Sequence, residues 1–144
     1  MRLPQWLAPM LAALALSACA TTLGFSDMFS LPVEPTTLLG RGQFFEIAVP
    51  AGRRAVITDV YIHNQGGLFG QPAGTALVHI CEMRLPNSCE IRYSYQTTSG
   101  QVLVVNYSTG VRLGDAAPIS AIRILNDSGS ITSVHPRVNG YFVP

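Results

Sequence analysis

The stretch CEIRYSYQ, residues 89–96, alternates strictly between two kinds of residue. Successive side chains of a β-strand point to opposite faces, so the cysteine, isoleucine and two tyrosines share one side. Glu, Arg, Ser and Gln share the other side. This pattern predicts a strand with one buried and one solvated face, as is typical of antiparallel sheets. Tyr93 and Tyr95 are therefore expected to face the core.

The same kind of segment recurs from Gly42 to the end of the chain, and turn residues separate the segments. None of them shows a helical period. Eight or nine short strands at spacings of about 8–15 residues predict a single all-β domain, an antiparallel β-sandwich or jelly roll. The predicted strands are Gln43–Val49, Ala55–His63, Ala76–Met83, Cys89–Thr97, Gln101–Ser108, Val111–Leu113, Ile119–Leu125, Ile131–Val134 and Val138–Val143.

Composition narrows the possible functions. The chain has 144 residues, enough for one domain, and 48% of them are hydrophobic while only 12% are charged. This balance is the reverse of that in disordered chains, so a packed domain is expected. The formal net charge is +1 and all nine basic residues are arginine. A nucleic-acid-binding surface needs clustered positive charge, which the sequence does not show, so no nucleic acid partner is predicted.

The first 19 residues, MRLPQWLAPMLAALALSAC, have the layout of a secretion signal. Arg2 and the amino terminus give a weak positive charge, and an apolar run from Leu7 to Leu16 leads into small residues. The run is too short to span a hydrocarbon core of about 30 Å as a permanent anchor. Its last four residues, Leu-Ser-Ala-Cys at 16–19, resemble the lipobox of bacterial lipoproteins.

The resemblance to lipoproteins covers only those four residues. It implies a diacylglycerol on the Cys19 thiol, cleavage before Cys19, and a fatty acid such as palmitate on the new amine. Two or three acyl chains hold a protein stably on a membrane. Because Ala20 and not aspartate follows the cysteine, the resemblance favours the outer membrane, facing the periplasm, in a bacterium with two membranes. The open alternative is ordinary signal peptidase cleavage after Ala20, which releases a soluble secreted protein.

The cysteine count agrees with a lipid on Cys19. Three cysteines are an odd number for an exported protein, and lipidation of one leaves Cys81 and Cys89 as a pair. These two lie across a predicted hairpin, and a disulfide there would stabilise the fold by about 2–3 kcal/mol. Directly opposed cysteines would place His79 opposite Ile91. Two free thiols or a redox dithiol are the alternatives, although the spacing is not C-x-x-C.

Between the signal peptide, residues 1–18, and the sandwich domain, residues 42–144, lies a lipidated N-terminus and connector, residues 19–41. A flexible tether would be rich in glycine and serine. This segment instead carries several large apolar residues, with Pro32 and Pro35 opposing a long helix. One interpretation is an extended segment lying across the domain and partly buried. The other is a segment that docks on a partner or on the membrane surface.

The search for catalytic chemistry identifies no catalytic residue, metal site or cofactor. His63, His79 and His135 lack metal-binding spacing, and His135 is expected in a loop before a proline. No nucleophile elbow is present. The acidic residues are scattered, and Glu82 and Glu90 are expected to face solvent.

A non-enzymatic role follows from this search. The chain is predicted to be a lipid-anchored envelope protein with a structural or adaptor role, meeting another envelope component through its loops or edge strands. The alternative is a carbohydrate-binding or other ligand-binding module on the same sandwich. Sugar sites stack a ring on an exposed aromatic. Trp6 is removed with the signal, so Tyr61 and Tyr141 are the candidate ligand-binding residues.

Overall fold

A computed structural model describes residues 27–31, 38–66, 74–85, 88–129 and 132–144. These residues form eight strands, and the predicted all-β sandwich is confirmed. Over the described residues, no helix has the length and apolar character needed to cross a membrane. The strands are β1 Met28–Leu31, β2 Phe44–Ala48, β3 Arg54–Gly66, β4 Ala76–Met83, β5 Glu90–Thr97, β6 Val102–Leu113, β7 Ala121–Asn126 and β8 Ser133–Val143.

The strands form two antiparallel sheets of four. Sheet A has the order β1-β8-β3-β6, and sheet B has the order β2-β7-β4-β5. Their inner faces meet in one core of fully buried aliphatic side chains, among them Ile57 and Ile62 of sheet A and Ile80 and Ile124 of sheet B. Alternating inward residues of this kind are what holds a sandwich together.

Tyr95 and Tyr107 tie the two sheets together on one side of the sandwich. Tyr95 of β5 is buried, as the alternation in residues 89–96 predicted, and Tyr93 is partly buried, whereas Ile91, predicted on the same buried face, is 50% exposed. The hydroxyl oxygens of Tyr95 and Tyr107 lie 2.7 Å apart, which joins β5 of sheet B to β6 of sheet A. Burial, together with this hydrogen bond, raises the pKa of Tyr95 well above its ordinary value.

Part of the connector belongs to the sandwich. Met28–Leu31 form the edge strand of sheet A next to β8, and Phe29 and Leu31 are buried. Leu39 is also buried, and its backbone forms a bridge with Val134. The described part of the connector is therefore extended across the domain and partly buried, which is the first of the two interpretations. The sandwich includes a strand upstream of Gly42.

Two predicted interruptions are wrong. The break at Thr109-Gly110 does not exist, because β6 runs continuously from Val102 to Leu113. Gly110 has a positive φ of 71°, which glycine adopts without strain, and the strand bends there without ending. The expected loop around His135 is also absent, because β8 runs through it.

The pairing of β8 with its described neighbours is consistent with a proline at position 136. β3 pairs with β8 there, with Ile62 opposite Pro136. On the other side of β8, the pairs within the described residues are those of β1, from Val138 onward, and the bridge between Leu39 and Val134. Proline lacks a backbone N–H, so it fits a strand position whose N–H would point away from a paired strand.

The β4–β5 hairpin carries the predicted disulfide between Cys81 and Cys89, whose Cα atoms lie 5.2 Å apart. The predicted register is wrong, because an irregularity between residues 80 and 81 shifts the pairing and His79 lies opposite Ser94.

Glu82 is another correction, because its side chain is buried instead of facing solvent. It accepts hydrogen bonds from the Arg84 and Arg92 guanidinium groups at 3.1 and 2.9 Å and from the Gly114 N–H at 2.8 Å. These three donors compensate the burial of the carboxylate. Glu90 faces solvent as predicted.

Candidate functional site

The outer face of sheet A carries a shallow groove of about 680 Å³. Strands β3 and β8 form its floor and β6 forms one rim. The groove exists because both floor strands alternate, with apolar residues directed to the core and polar or aromatic residues directed outward. The outward side chains are Asp59, Tyr61 and His63 from β3 and His135, Arg137 and Asn139 from β8.

Tyr61 and Arg137 lie opposite each other at the middle of this groove. Tyr61 is 38% exposed, so its ring offers a flat apolar surface to a ligand. Among the residues that the structure describes, none makes an ion pair or hydrogen bond with the Arg137 side chain. Its planar guanidinium, with five donors, therefore remains available to carboxylate or hydroxyl oxygens of a ligand.

Asp59 and Asn139 lie opposite each other in the next pair along the groove. A β-bulge at Thr58 precedes Asp59, and bulges commonly re-aim the side chain that follows. The Thr58 hydroxyl donates to Asp59 Oδ2 at 2.7 Å, and the Ser30 hydroxyl donates to Asn139 Oδ1 at 2.9 Å. These bonds orient both side chains while leaving Asp59 Oδ1 and the Asn139 amide nitrogen to meet a ligand.

The far end of the groove is formed by two histidines. His63 and His135 are directly paired, and their rings stack with centroids 6.1 Å apart. The β6 side is apolar, since Val104 lines the groove and is 56% exposed. The groove thus combines an aromatic ring, an apolar rim and several polar groups, the usual makeup of a small-molecule site.

A second concavity of about 460 Å³ continues the same face toward β1. It shares Asp59 and Asn139 with the first and adds Tyr141 and Met28, which are opposite each other in the β1–β8 pairing. The structure therefore places both predicted ligand-binding residues, Tyr61 and Tyr141, on the outer face of sheet A. One lies in each concavity.

Sequence reasoning missed Arg137 and Asn139 as site residues. The signal was present, because residues 133–143, SVHPRVNGYFV, alternate in the same way as residues 89–96. Reading the segment as a loop around Pro136 hid the alternation. Continuous pairing of β8 with β3 is what aligns the outward residues of the two strands.

The other predicted sites lie elsewhere. No group of three potential metal ligands occurs within the described ranges. His79 is buried in β4, where Nδ1 lies 2.8 Å from the Ser94 hydroxyl and Nε2 lies 3.5 Å from an Asp127 oxygen. Cys19, the predicted lipidation site, lies outside the described residues.

No protein-family model and no curated protein sequence matches this chain. Solved structures with a similar arrangement of strands include the CBM32 module of AlyQ in complex with 4,5-unsaturated mannuronic acid. The two proteins are 15% identical, with a TM-score of 0.40, and the match covers 76% of this chain and 81% of that chain. No residue of this chain is assigned a role from that likeness.

Proposed function

We propose that this protein is a lipid-anchored, non-enzymatic envelope protein whose sandwich binds a carbohydrate on the outer face of sheet A. The observation that carries the binding role is the exposed Tyr61 ring beside Arg137, which makes no ion pair within the described residues. An exposed aromatic ring can stack on the C–H groups of a ligand. A guanidinium without a protein partner can donate hydrogen bonds to the ligand's oxygens.

The polar groups around Tyr61 suit a polyhydroxylated ligand. Asp59 accepts hydrogen bonds, Asn139 donates and accepts them, and Arg137 only donates. Thr58 and Ser30 already orient the first two of these side chains, so a ligand need not pay the full cost of ordering them. Sugars present hydroxyl groups that act both as donors and as acceptors around an apolar ring face. This match favours a carbohydrate over a purely apolar or purely ionic ligand.

The anchor is supported by the lipobox resemblance and by the use of the other cysteines. Cys81 and Cys89 are bonded to each other, which leaves Cys19 as the third cysteine of the chain. Met28, the first residue of β1, follows Cys19 by nine positions. A fully extended chain of this length spans at most about 30 Å, so a lipid on Cys19 would keep the groove near the membrane surface.

Carbohydrate binding is tested with the full-length protein in detergent on a glycan array, followed by calorimetry with each sugar that is retained. Tyr61→Ala and Arg137→Ala should each weaken binding at least tenfold, whereas Tyr61→Phe should keep most of it because the ring remains. Ile91→Ala trims an exposed apolar side chain of β5 and should leave binding unchanged. Absence of any retained glycan, or equal binding by Tyr61→Ala, would refute the binding role.

The anchor is tested by growing cells with labelled palmitate and comparing the wild type with Cys19→Ala. The wild type should carry label and pellet with membranes, and the variant should do neither. Cys89→Ala is the matched control, because it removes a cysteine from the β5 end of the disulfide and should leave labelling unchanged. A wild-type protein recovered without fatty acid and beginning at Thr21 would favour the secreted alternative.

An adaptor role is the second candidate function, and the open edges of the sheets favour it. β5 and β6 are edge strands, and they carry Ile91 and Val102, each 50% exposed. Edge strands present unpaired backbone groups to which another chain can add. Photocrosslinking from position 102 in living cells should then capture one envelope protein, and crosslinking from Ala116, an exposed residue outside the strands, should not. Capture at both positions, or at neither, would remove this candidate.

A further inference from the structure

The two concavities on the outer face of sheet A form one continuous groove, and we infer that its ligand is a linear oligosaccharide lying along β3 and β8. This inference rests on the proposed carbohydrate-binding function. The concavity around Tyr61 and the concavity around Tyr141 share Asp59 and Asn139 as lining residues. A ligand that leaves one concavity along the strands therefore enters the other.

The distance between the two tyrosines requires more than one sugar. Tyr61 lies opposite Arg137, and Tyr141 follows Arg137 by four residues on the same strand. At about 3.4 Å per residue, the two tyrosine rows are separated by roughly 14 Å. This is longer than one pyranose ring, so a monosaccharide contacts one tyrosine and a chain contacts both. The shared pair, Asp59 and Asn139, lies between them and meets the middle of such a chain.

The Tyr141 end is held as firmly as the Tyr61 end, although it lies near the edge of the sheet. Beneath Tyr141, the rings of Phe29 and Phe142 pack with centroids 4.9 Å apart. The Ser30 hydroxyl bonds to Asn139 across the same pair of strands. Both platforms therefore stand on packed, hydrogen-bonded strands, and binding across them costs little ordering of the protein.

The two ends of the groove differ in their side chains, which gives the groove a direction. Arg137 and the two histidines lie at one end, Asp59 lies between the tyrosines, and the strand that continues to the N-terminal segment begins at Met28 beside Tyr141. A linear chain bound along this groove has one end beside Arg137 and the two histidines and the other beside the segment that leads to Cys19.

The inference is tested by calorimetry on the full-length protein in detergent with two probe series. One series is N-acetylglucosamine and its β-1,4 oligomers, and the other is galacturonic acid and its α-1,4 oligomers. We expect affinity in at least one series to rise at least tenfold from the monosaccharide to the tetrasaccharide and then to level off. Tyr61→Ala should weaken every member of that series. Tyr141→Ala should weaken the oligomers at least fivefold and leave the monosaccharide unchanged.

The outcomes separate this inference from the proposed function. Failure of both series and of the glycan array removes carbohydrate binding altogether. If a monosaccharide binds as tightly as its oligomers, or if Tyr141→Ala leaves oligomer affinity unchanged, the ligand occupies only the Tyr61 concavity and the inference of a linear ligand is wrong. Ile91→Ala, which trims an exposed side chain of β5 outside the groove, serves as the control and should leave the affinity for every oligomer unchanged.

Discussion

Asn64 and Asn126 make corresponding hydrogen bonds, one in each sheet of the sandwich, and Asn126 Oδ1 also accepts the Ser128 hydroxyl. Both are fully buried, and they lie on β3 and β7, each of which is an inner strand of its sheet. Each side-chain oxygen accepts the N–H of the residue two positions later, Gly66 or Ser128. Each amide nitrogen donates to two carbonyl groups of other segments. Buried amides with all their bonds made fix the paths of the chains around them.

Asn126→Asp should destabilise the protein by about 3 kcal/mol or more. The amide nitrogen of Asn126 donates to the Leu39 and Thr132 carbonyls, both at 2.9 Å. A carboxylate in its place has no donor and sets a buried negative charge against two carbonyl oxygens. Urea denaturation of the full-length variant in detergent measures the loss. Gln96→Glu, the same chemical change on an exposed position of β5, should cost less than about 0.5 kcal/mol. Equal stability of the two variants would contradict the role given to Asn126.

Gly140→Ala should destabilise the protein by about 1–3 kcal/mol and loosen β1. A Cβ atom at Gly140 would collide with the Val56 carbonyl oxygen and lie 2.7 Å from a ring carbon of Phe29. The carbonyl belongs to β3 and cannot move away without breaking the sheet, so β8 or Phe29 must shift. Urea denaturation measures the cost, and hydrogen exchange in residues 28–31 reports the loosening. Gly129→Ala has open space around its Cβ and should be neutral. Unchanged exchange in β1 would contradict the prediction.

Much of the fold was readable from the sequence because alternation is a local signal. Residues 76–83 were predicted as a strand with its observed bounds, and the inward face of residues 93 and 95 was predicted correctly. The two wrongly predicted strand breaks occurred where residues that favour turns lie inside long strands. Glycine and proline are common in turns, but β6 continues through Gly110 at the point where its register with β3 shifts, and pairing with Ile62 keeps Pro136 within β8.

The candidate site was readable only in part. Tyr61 and Tyr141 were selected by residue type, but nothing local states that they share a face of one sheet. That relation depends on β3 and β8 being neighbours, which is a long-range pairing between distant parts of the chain. Glu82 was misjudged for a similar reason, because one of its partners, Gly114, lies at the end of β6.

Removing the disulfide should cost about 2–3 kcal/mol, because the bond restricts the unfolded chain by closing a short loop. The change is the double substitution Cys81→Ala and Cys89→Ala, measured by urea denaturation in detergent. Reductant should lower the stability of the wild type to that of the double variant and should leave the variant unchanged. Wild-type protein that reacts with a thiol reagent in urea at positions 81 and 89, without prior reduction, would show that the bond is not formed.

Glu82→Gln should destabilise the protein by about 2–3 kcal/mol at neutral pH, and the loss should shrink in acid. Burial by itself would raise the pKa of Glu82, but the hydrogen bonds and charges of Arg92, Gly114 and Arg84 lower it below its ordinary value near 4.5. A carboxyl with a lowered pKa in the folded state binds its proton more weakly there than in the unfolded chain. Its contribution to stability is therefore complete above pH 4.5 and is lost as the pH falls through the lowered value.

The difference in unfolding free energy between wild type and Glu82→Gln, measured by urea denaturation from pH 7 to pH 3, should therefore be constant at high pH and decline below about 4.5. Glu90→Gln is the matched control. Glu90 pairs with the same two arginines, at 2.9 and 3.2 Å, but its side chain is 45% exposed. Solvent screens such a pair, so its loss should cost under about 1 kcal/mol. A Glu82→Gln loss that stays constant down to pH 3 would contradict the lowered pKa of Glu82, because a carboxyl with the same pKa in the folded and unfolded chains gives no pH-dependent stability.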